Sequence, residues 1–205
     1  LAKLSGKTPL DALEGVFGKN AIKVLPDGDI VTTVKGMTPG GKFKAGMVFD
    51  PYAGRMYMSQ AEFIAGDIGA EQAFMKSLLK NMVDASKAVS GSAVVVSVGQ
   101  NAFEFGKLGF KPNPAQWQEM RMEMMERLTE GDLKKLLLSL DEEKQQLLLN
   151  LLGNQDEAAL GILVDLPWTY RGKSVARILL EEVTGTFELD LTSVPQVSKA
   201  MEYLS

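Results

Sequence analysis

Short runs of alternating hydrophobic and polar residues fill the first third of the chain, and turn residues separate these runs. Such alternation is typical of strands that bury one face, and clusters such as Pro-Asp-Gly and Pro-Gly-Gly are typical of the turns between strands. The pattern therefore predicts an antiparallel meander, preceded by a short amphipathic helix over 9–17. The predicted strands are 21–25, 30–37, 42–49 and 55–59, and a continuation of the last strand toward 64 is left open.

The hydrophobic period changes after residue 70. Apolar residues recur at helical spacing over 71–89, and residues 93–98 then have the continuous hydrophobicity of a strand buried on both faces. A short helix over 101–107 follows. Pro112-Asn113-Pro114 is the best internal boundary, so we predict one domain over 1–111 and another over 112–205. The second domain is predicted to contain helices over 115–128, 132–140 and 141–152, then a strand, helix, strand and helix over 161–166, 171–183, 186–191 and 195–204.

These elements predict an α/β protein of the α+β type. A mainly antiparallel meander sheet with flanking helices precedes a helical segment and a β/α/β/α tail. The helical segment is rich in Met and Leu, and its leucines lie on more than one helix face. Such helices are buried in the core or dock a partner, and the extra apolar face favours a homo-oligomer or a larger parent chain.

The composition excludes several kinds of chemistry. The sequence has no Cys and no His, which excludes disulfides, thiolate sites, His metal sites and Ser-His-Asp triads. Acid–base chemistry is left to Asp, Glu, Tyr and Lys, and we expect no metal cofactor. The net charge of −4 argues against a nucleic-acid partner. No apolar run reaches the roughly 18 residues of a membrane span.

The ends of the chain bear on its origin. The sequence starts Leu-Ala-Lys, without an initiator Met and without the apolar core of a signal peptide. We therefore expect a piece of a longer protein. The absence of Cys fits a cytoplasmic protein and equally a secreted effector that passes unfolded through a secretion apparatus.

The most informative segment for chemistry is the run 170–180, where a basic, Gly-containing turn leads into an apolar helix. With a strand before it, such a turn directs backbone N–H groups and the positive end of a helix dipole at an anion. Arg171 and Lys173 add positive charge. A Walker nucleotide loop is excluded, because Pro167 stands where that motif needs Gly. A solubilising helix cap without a ligand is the alternative.

The same run resembles the pyrophosphate arm of the GNAT-family acyltransferases, which reads Arg/Gln-x-x-Gly-x-Gly/Ala, then two residues and a Leu-Leu pair. Arg171, Ala176, Leu179 and Leu180 match this pattern, and Ser174 departs from it. The resemblance implies acetyl-CoA as the cofactor and Tyr203, in the last predicted helix, as a candidate general acid. The backbone amides implied to hold the pyrophosphate belong to Arg171, Gly172, Lys173, Ser174, Val175 and Ala176.

The first half resembles the same family more weakly. Residues 21–110 follow the order of elements of the family's core and end in Lys107-Leu108-Gly109-Phe110. Gly66 and Glu71 depart from the arm pattern in this half, and a carboxylate there repels a pyrophosphate. Phe105 stands where the family's Tyr general acid is expected. The two halves together suggest a diverged or tandem GNAT-like protein.

Two hypotheses for the function follow. The first is an acyltransferase that transfers an acetyl group from acetyl-CoA to an unknown amine by direct attack. Glu62 and Asp165 are its candidate bases, although each is equally a candidate for a solvated surface carboxylate. The second is a non-catalytic binding or structural module of a secreted effector, toxin or phage-encoded multidomain protein, whose helices present a surface to a protein partner.

Overall fold

A computed structural model describes residues 8–38, 41–64, 68–98 and 101–204. The chain forms two compact units, one from Leu1–Val96 with Leu189–Ser205 and one from Ser97 to Glu188. The predicted domain boundary at 111/112 falls inside the second unit, and that division of the chain stays a prediction. The mixed α/β class predicted from the sequence is confirmed.

The first unit begins with helix α1 (Pro9–Phe17) and the predicted antiparallel meander. The side chain of Thr8 accepts a hydrogen bond from the Asp11 amide, and Asp11 bonds back to Thr8, which fixes the start of α1 as a capping box. A single 3₁₀ turn leads into the meander. Its strands are β1 (Ile22–Val24), β2 (Ile30–Thr38), β3 (Gly41–Asp50) and β4 (Arg55–Ile64).

Alternation along the strands gives the meander one buried face. Ala45, Met47 and Phe49 of β3 are buried, whereas Lys42 and Lys44 on the other face are exposed. The register between β3 and β4 shifts between Gly46 and Met47, so the pairing is irregular at that point.

A helical crossover completes the sheet of the first unit. Helix α2 (Ile68–Ala88) leads to β5 (Ala93–Ser97), which pairs parallel to β4 from Arg55 to Tyr57. The side chains of Val94 and Val96 are fully buried, which confirms the strand predicted from this apolar run. Because one pairing is parallel and the others are antiparallel, the sheet is mixed.

The second unit is mainly helical, and side-chain N-caps fix the starts of two of its helices. The side chains of Asn113 and Asp141 accept hydrogen bonds from the Gln116 and Lys144 amides and so begin helices α4 (Pro114–Thr129) and α6 (Glu142–Gly153). Strand β6 (Lys111–Pro112) pairs antiparallel with β9 (Thr186–Asp190). The elements are α3 (Ala102–Lys107), β6 (Lys111–Pro112), α4 (Pro114–Thr129), α5 (Lys134–Ser139), α6 (Glu142–Gly153), α7 (Ala159–Asp165), β7 (Thr169–Tyr170), β8 (Lys173–Ser174), α8 (Val175–Leu180) and β9 (Thr186–Asp190). The final helix, α9 (Val194–Leu204), belongs to the first unit and contacts α2.

The predicted strand over 161–166 is wrong, because this segment belongs to helix α7. Leu160, Leu163 and Val164 are buried at helical spacing, whereas 58% of Ile162 is exposed. A short apolar run has the same hydrophobicity in a buried strand and in a helix, so its periodicity alone did not separate the two.

The predicted helix over 171–183 is also wrong at its start and end. Arg171 and Gly172 have φ angles of 51° and 79°, the left-handed conformation that a two-residue hairpin turn requires. They join β7 to β8, and helix α8 begins only at Val175 and ends at Leu180.

The turn between β1 and β2 yields a prediction about pH. Partial desolvation, together with the nearby Asp27 and Asp50 carboxylates, raises the pKa of Asp29 above its ordinary value. A group with a raised pKa binds protons more tightly in the folded protein, so its contribution to stability declines as the pH rises through that pKa. We expect Asp29→Asn to raise the melting temperature at neutral pH and to lose this advantage below about pH 4.

Thermal denaturation over a series of pH values measures this effect. Asp156→Asn, in another turn, is the control and should show no such gain. An Asp29→Asn protein with an unchanged or lower melting temperature at neutral pH would contradict the prediction.

Candidate functional site

The predicted anion-binding turn is the apex of the β7–β8 hairpin. Tyr170 pairs with Lys173, and Arg171 and Gly172 form the turn between them. The Arg171 guanidinium lies over the Tyr170 ring at 5.1 Å, and the Lys173 Nζ lies 3.3 Å from a carboxylate oxygen of Glu181. Both cations are exposed, but each already has a neighbour within the second unit.

Two backbone amides of this segment have partners inside the chain. The Val175 amide donates to the Trp168 carbonyl at 3.0 Å, and the Arg177 amide donates to Ser174 Oγ at 3.5 Å. Ser174 is therefore the N-cap of α8, and the side chains of Val175 and Ala176, which follow it, are buried. The local geometry is that of a self-capped helix of six residues. A cofactor-binding role for Arg171–Ala176 stays a prediction.

Helix α8 is held to α3 by an ion pair and a ring contact. Arg177 Nη1 lies 2.5 Å from Glu104 Oε1, and its guanidinium lies 4.5 Å from the centre of the Phe103 ring. The other carboxylate oxygen of Glu104 is buried and has no hydrogen-bond partner among the described residues. This contact could not be predicted from the sequence, because the two charges lie far apart along the chain.

Asp165, one of the two candidate bases, lies at the end of α7. Its Oδ1 accepts a hydrogen bond from Lys107 Nζ at 3.0 Å, and about half of its side chain is exposed. This position is that of a partly solvated ion pair, a kind of contact that contributes little stability on its own.

The other two candidate catalytic residues belong to the first unit. Glu62 lies in β4, opposite Lys44 in the strand register, and Tyr203 lies in α9. Their side chains fall outside the residues that the structure describes, so their catalytic roles stay predictions.

Phe105 occupies the position that the family resemblance gives to a Tyr general acid. Only 2% of Phe105 is exposed, and its ring centre lies 5.5 Å from that of Phe110, which is equally buried. The phenyl ring of Phe105 is a hydrocarbon and has no acidic proton to donate. It packs in an aromatic pair within the core of the second unit.

A surface depression on the second unit, which was not predicted from the sequence, combines one arginine with several carboxylates. The residues that line it are Glu123, Glu126, Arg127, Gly131, Asp132 and Glu182. Arg127 donates two hydrogen bonds to Asp132, at 3.1 and 3.0 Å, and this contact raises the pKa of the guanidinium and lowers the pKa of Asp132. The spacing of glutamates along 119–130 was the signal that could have revealed this charged helix face.

Metal-binding clusters and membrane-spanning helices are both absent from the described residues. No cluster of three or more acidic side chains in the described ranges is arranged to hold a metal ion. None of the helices in that part of the chain has the length and hydrophobicity needed to cross a bilayer.

The chain was compared with protein-family models, curated proteins and solved structures, and none of them matched it.

Proposed function

We propose that this protein is a non-catalytic binding module built on a diverged GNAT-like scaffold. The observation that carries the proposal is Phe105, which replaces the expected acid with a buried hydrocarbon ring. Acetyl transfer needs a donor for the leaving thiolate, and in the pattern over 21–110 that position holds a side chain without a dissociable proton. Tyr203 is the acid only in the second candidate function below.

The order of elements in the first unit supports the scaffold part of the proposal. Four antiparallel strands are followed by a helix of 21 residues and by a strand parallel to the last of the four. This order agrees with the one that the family resemblance implies for residues 21–110.

The second unit supports the binding part of the proposal. The amides of Val175 and Arg177 are bonded within the chain, so fewer donors face outward for a pyrophosphate. The same unit exposes one large apolar side chain on each of four helices, and this proposal assigns them to the contact with a partner. These side chains are Met122, Leu138, Leu147 and Ile162.

An acyltransferase that uses acetyl-CoA and an unknown amine is the second candidate. Its supporting observation is the exposure of Arg171 and Lys173 at the apex of the hairpin, next to the Ser174 cap. In this candidate the pyrophosphate lies against Arg171–Ala176.

A thermal-shift titration with acetyl-CoA distinguishes the two functions. A ligand that binds only the native state stabilises it by about 2.7 kcal/mol at a concentration one hundred times its Kd. We expect no rise in the melting temperature of the wild type at millimolar acetyl-CoA, and the same flat response for Arg171→Glu. A rise that Arg171→Glu abolishes would contradict the binding module and support the acyltransferase.

A further inference from the structure

The exposed face of the meander carries a cluster of lysines, which we call the lysine face: Lys35, Lys42 and Lys44. Lys35 of β2 lies directly opposite Lys44 of β3, and Lys42 lies on the same side of β3 two residues away. Like charges placed directly opposite each other in a sheet are destabilising. None of the three lysines makes an ion pair with any residue that the structure describes.

The neighbouring strands neutralise the lysine face only in part. Lys42 lies opposite Met37 on one side and Ile64 on the other. Glu62 lies opposite Lys44 alone. The face therefore keeps an excess of positive charge, although the whole chain has a net charge of −4.

The second unit carries the opposite charge in an equally regular array. Glutamates recur along one side of α4 and at the C-cap residue that follows it, at spacings of four, three and four residues, which places them on one side of the helix. We call them the acidic stripe: Glu119, Glu123, Glu126 and Glu130, all exposed. Within the described residues none of the four forms an ion pair, and like charges four residues apart on a helix are destabilising.

The composition of the two units reinforces this contrast. Residues 97–188 contain 10 basic residues (Lys and Arg) and 15 acidic residues (Asp and Glu), a net charge of −5. The rest of the chain contains 12 basic and 11 acidic residues, a net charge of +1. The negative charge of the protein is thus concentrated in the unit that carries the acidic stripe.

We infer that the lysine face is a docking surface for the acidic stripe of a second copy of this chain. The two arrays have similar spacings, because alternate residues of a strand are about 6.8 Å apart and residues four apart on a helix are about 6 Å apart. Each array is repulsive by itself, and contact between copies offsets both repulsions. Since the two surfaces differ, the contact is heterologous and extends beyond a dimer unless it closes into a ring.

This inference rests on the proposed binding function and names its partner. The acetyl-CoA titration tests that function separately, so the docking inference can fail while the binding module stands.

Sedimentation velocity over a concentration series tests the docking. The full chain should associate at an ionic strength of about 10 mM, where charges act over about 30 Å, and should be monomeric near 1 M salt, where that range is about 3 Å. Two variants each reverse the charge of one of the two surfaces, the lysine face or the acidic stripe. They are Lys35→Glu/Lys42→Glu/Lys44→Glu and Glu123→Lys/Glu126→Lys/Glu130→Lys.

Each reversed variant alone should associate at least about tenfold more weakly than the wild type, because its two surfaces then repel. An equimolar mixture of the two variants should associate again, since each retains the surface that complements the other. This recovery also shows that both variants are folded. Lys134→Glu/Lys135→Glu, which changes two exposed lysines outside the lysine face, is the matched control and should associate as the wild type does.

Three results would overturn the docking inference. The wild type could stay monomeric at low salt, the lysine-face variant could associate normally, or the mixture of variants could fail to recover. A monomeric wild type that instead bound anionic vesicles or single-stranded DNA through the lysine face would assign that surface to a different partner.

Discussion

Replacement of Trp117 by alanine is expected to lower the free energy of unfolding by about 3–5 kcal/mol, the largest effect that we predict for a single substitution. Trp117 of α4 is fully buried and is one of the largest buried side chains of the described chain. Its indole Nε1 donates to the Asn154 carbonyl at 2.9 Å, just beyond the end of α6. Alanine would remove both the ring and this hydrogen bond between two helices of the second unit.

Two further variants separate these contributions. Trp117→Phe keeps most of the apolar ring and leaves the Asn154 carbonyl without its donor, so we expect a loss of about 1–3 kcal/mol. Met122→Ala changes a residue of the same helix that is 64% exposed, and its effect should stay within about 0.5 kcal/mol. Urea denaturation followed by circular dichroism measures all three losses. A Trp117→Ala protein no less stable than Met122→Ala would show that α4 is not packed as described.

Alanine substitutions of two glycines are expected to change stability in opposite directions. A Cβ at Gly106 of α3 would lie 2.8 Å from Val164 Cγ1 of α7, whereas a Cβ at Gly161 of α7 would have no neighbour within 4 Å. An added methyl group that crowds a packed core lowers the free energy of unfolding by about 1–3 kcal/mol. Replacing Gly by Ala inside a helix raises it by up to about 1 kcal/mol.

Gly161→Ala should therefore stabilise the protein, and Gly106→Ala should be less stable than Gly161→Ala by about 2 kcal/mol. Because Val164 is buried and β-branched, it has little freedom to move away from the added methyl group. The difference between the two urea midpoints tests the close approach of α3 and α7. Equal stabilisation by both substitutions would show that these helices lie further apart.

Elements with a long or strictly periodic pattern could be predicted from the sequence. The meander alternates over strands of nine and ten residues between strong turns, and α2 keeps helical spacing over 21 residues. Local hydrophobicity and turn residues decide such elements, because neighbouring segments bury the same face. The segment 161–166 is too short for its hydrophobic period to distinguish a helix from a strand. Its helical form follows from packing against segments that are distant in the sequence.

The candidate site could be predicted only as a set of residue types. The GNAT-like pattern matches at Arg171, Ala176 and the leucine pair, but the backbone conformation at Arg171 does not follow from the pattern. A residue other than Gly rarely adopts a positive φ, so the sequence favoured a helix start where the chain forms a hairpin. The hydrogen bond from the Val175 amide to the Trp168 carbonyl depends on that hairpin, so it could not be predicted from the sequence either.

The first unit is discontinuous along the chain, since α9 follows the whole of the second unit. During synthesis the ribosome therefore has to complete residues 97–188 before α9 can pack on α2. The loop-closure entropy of this long excursion grows only slowly with its length. Until α9 arrives, the nascent protein exposes the part of α2 that α9 later covers, and a chaperone could bind that part of the helix during this interval.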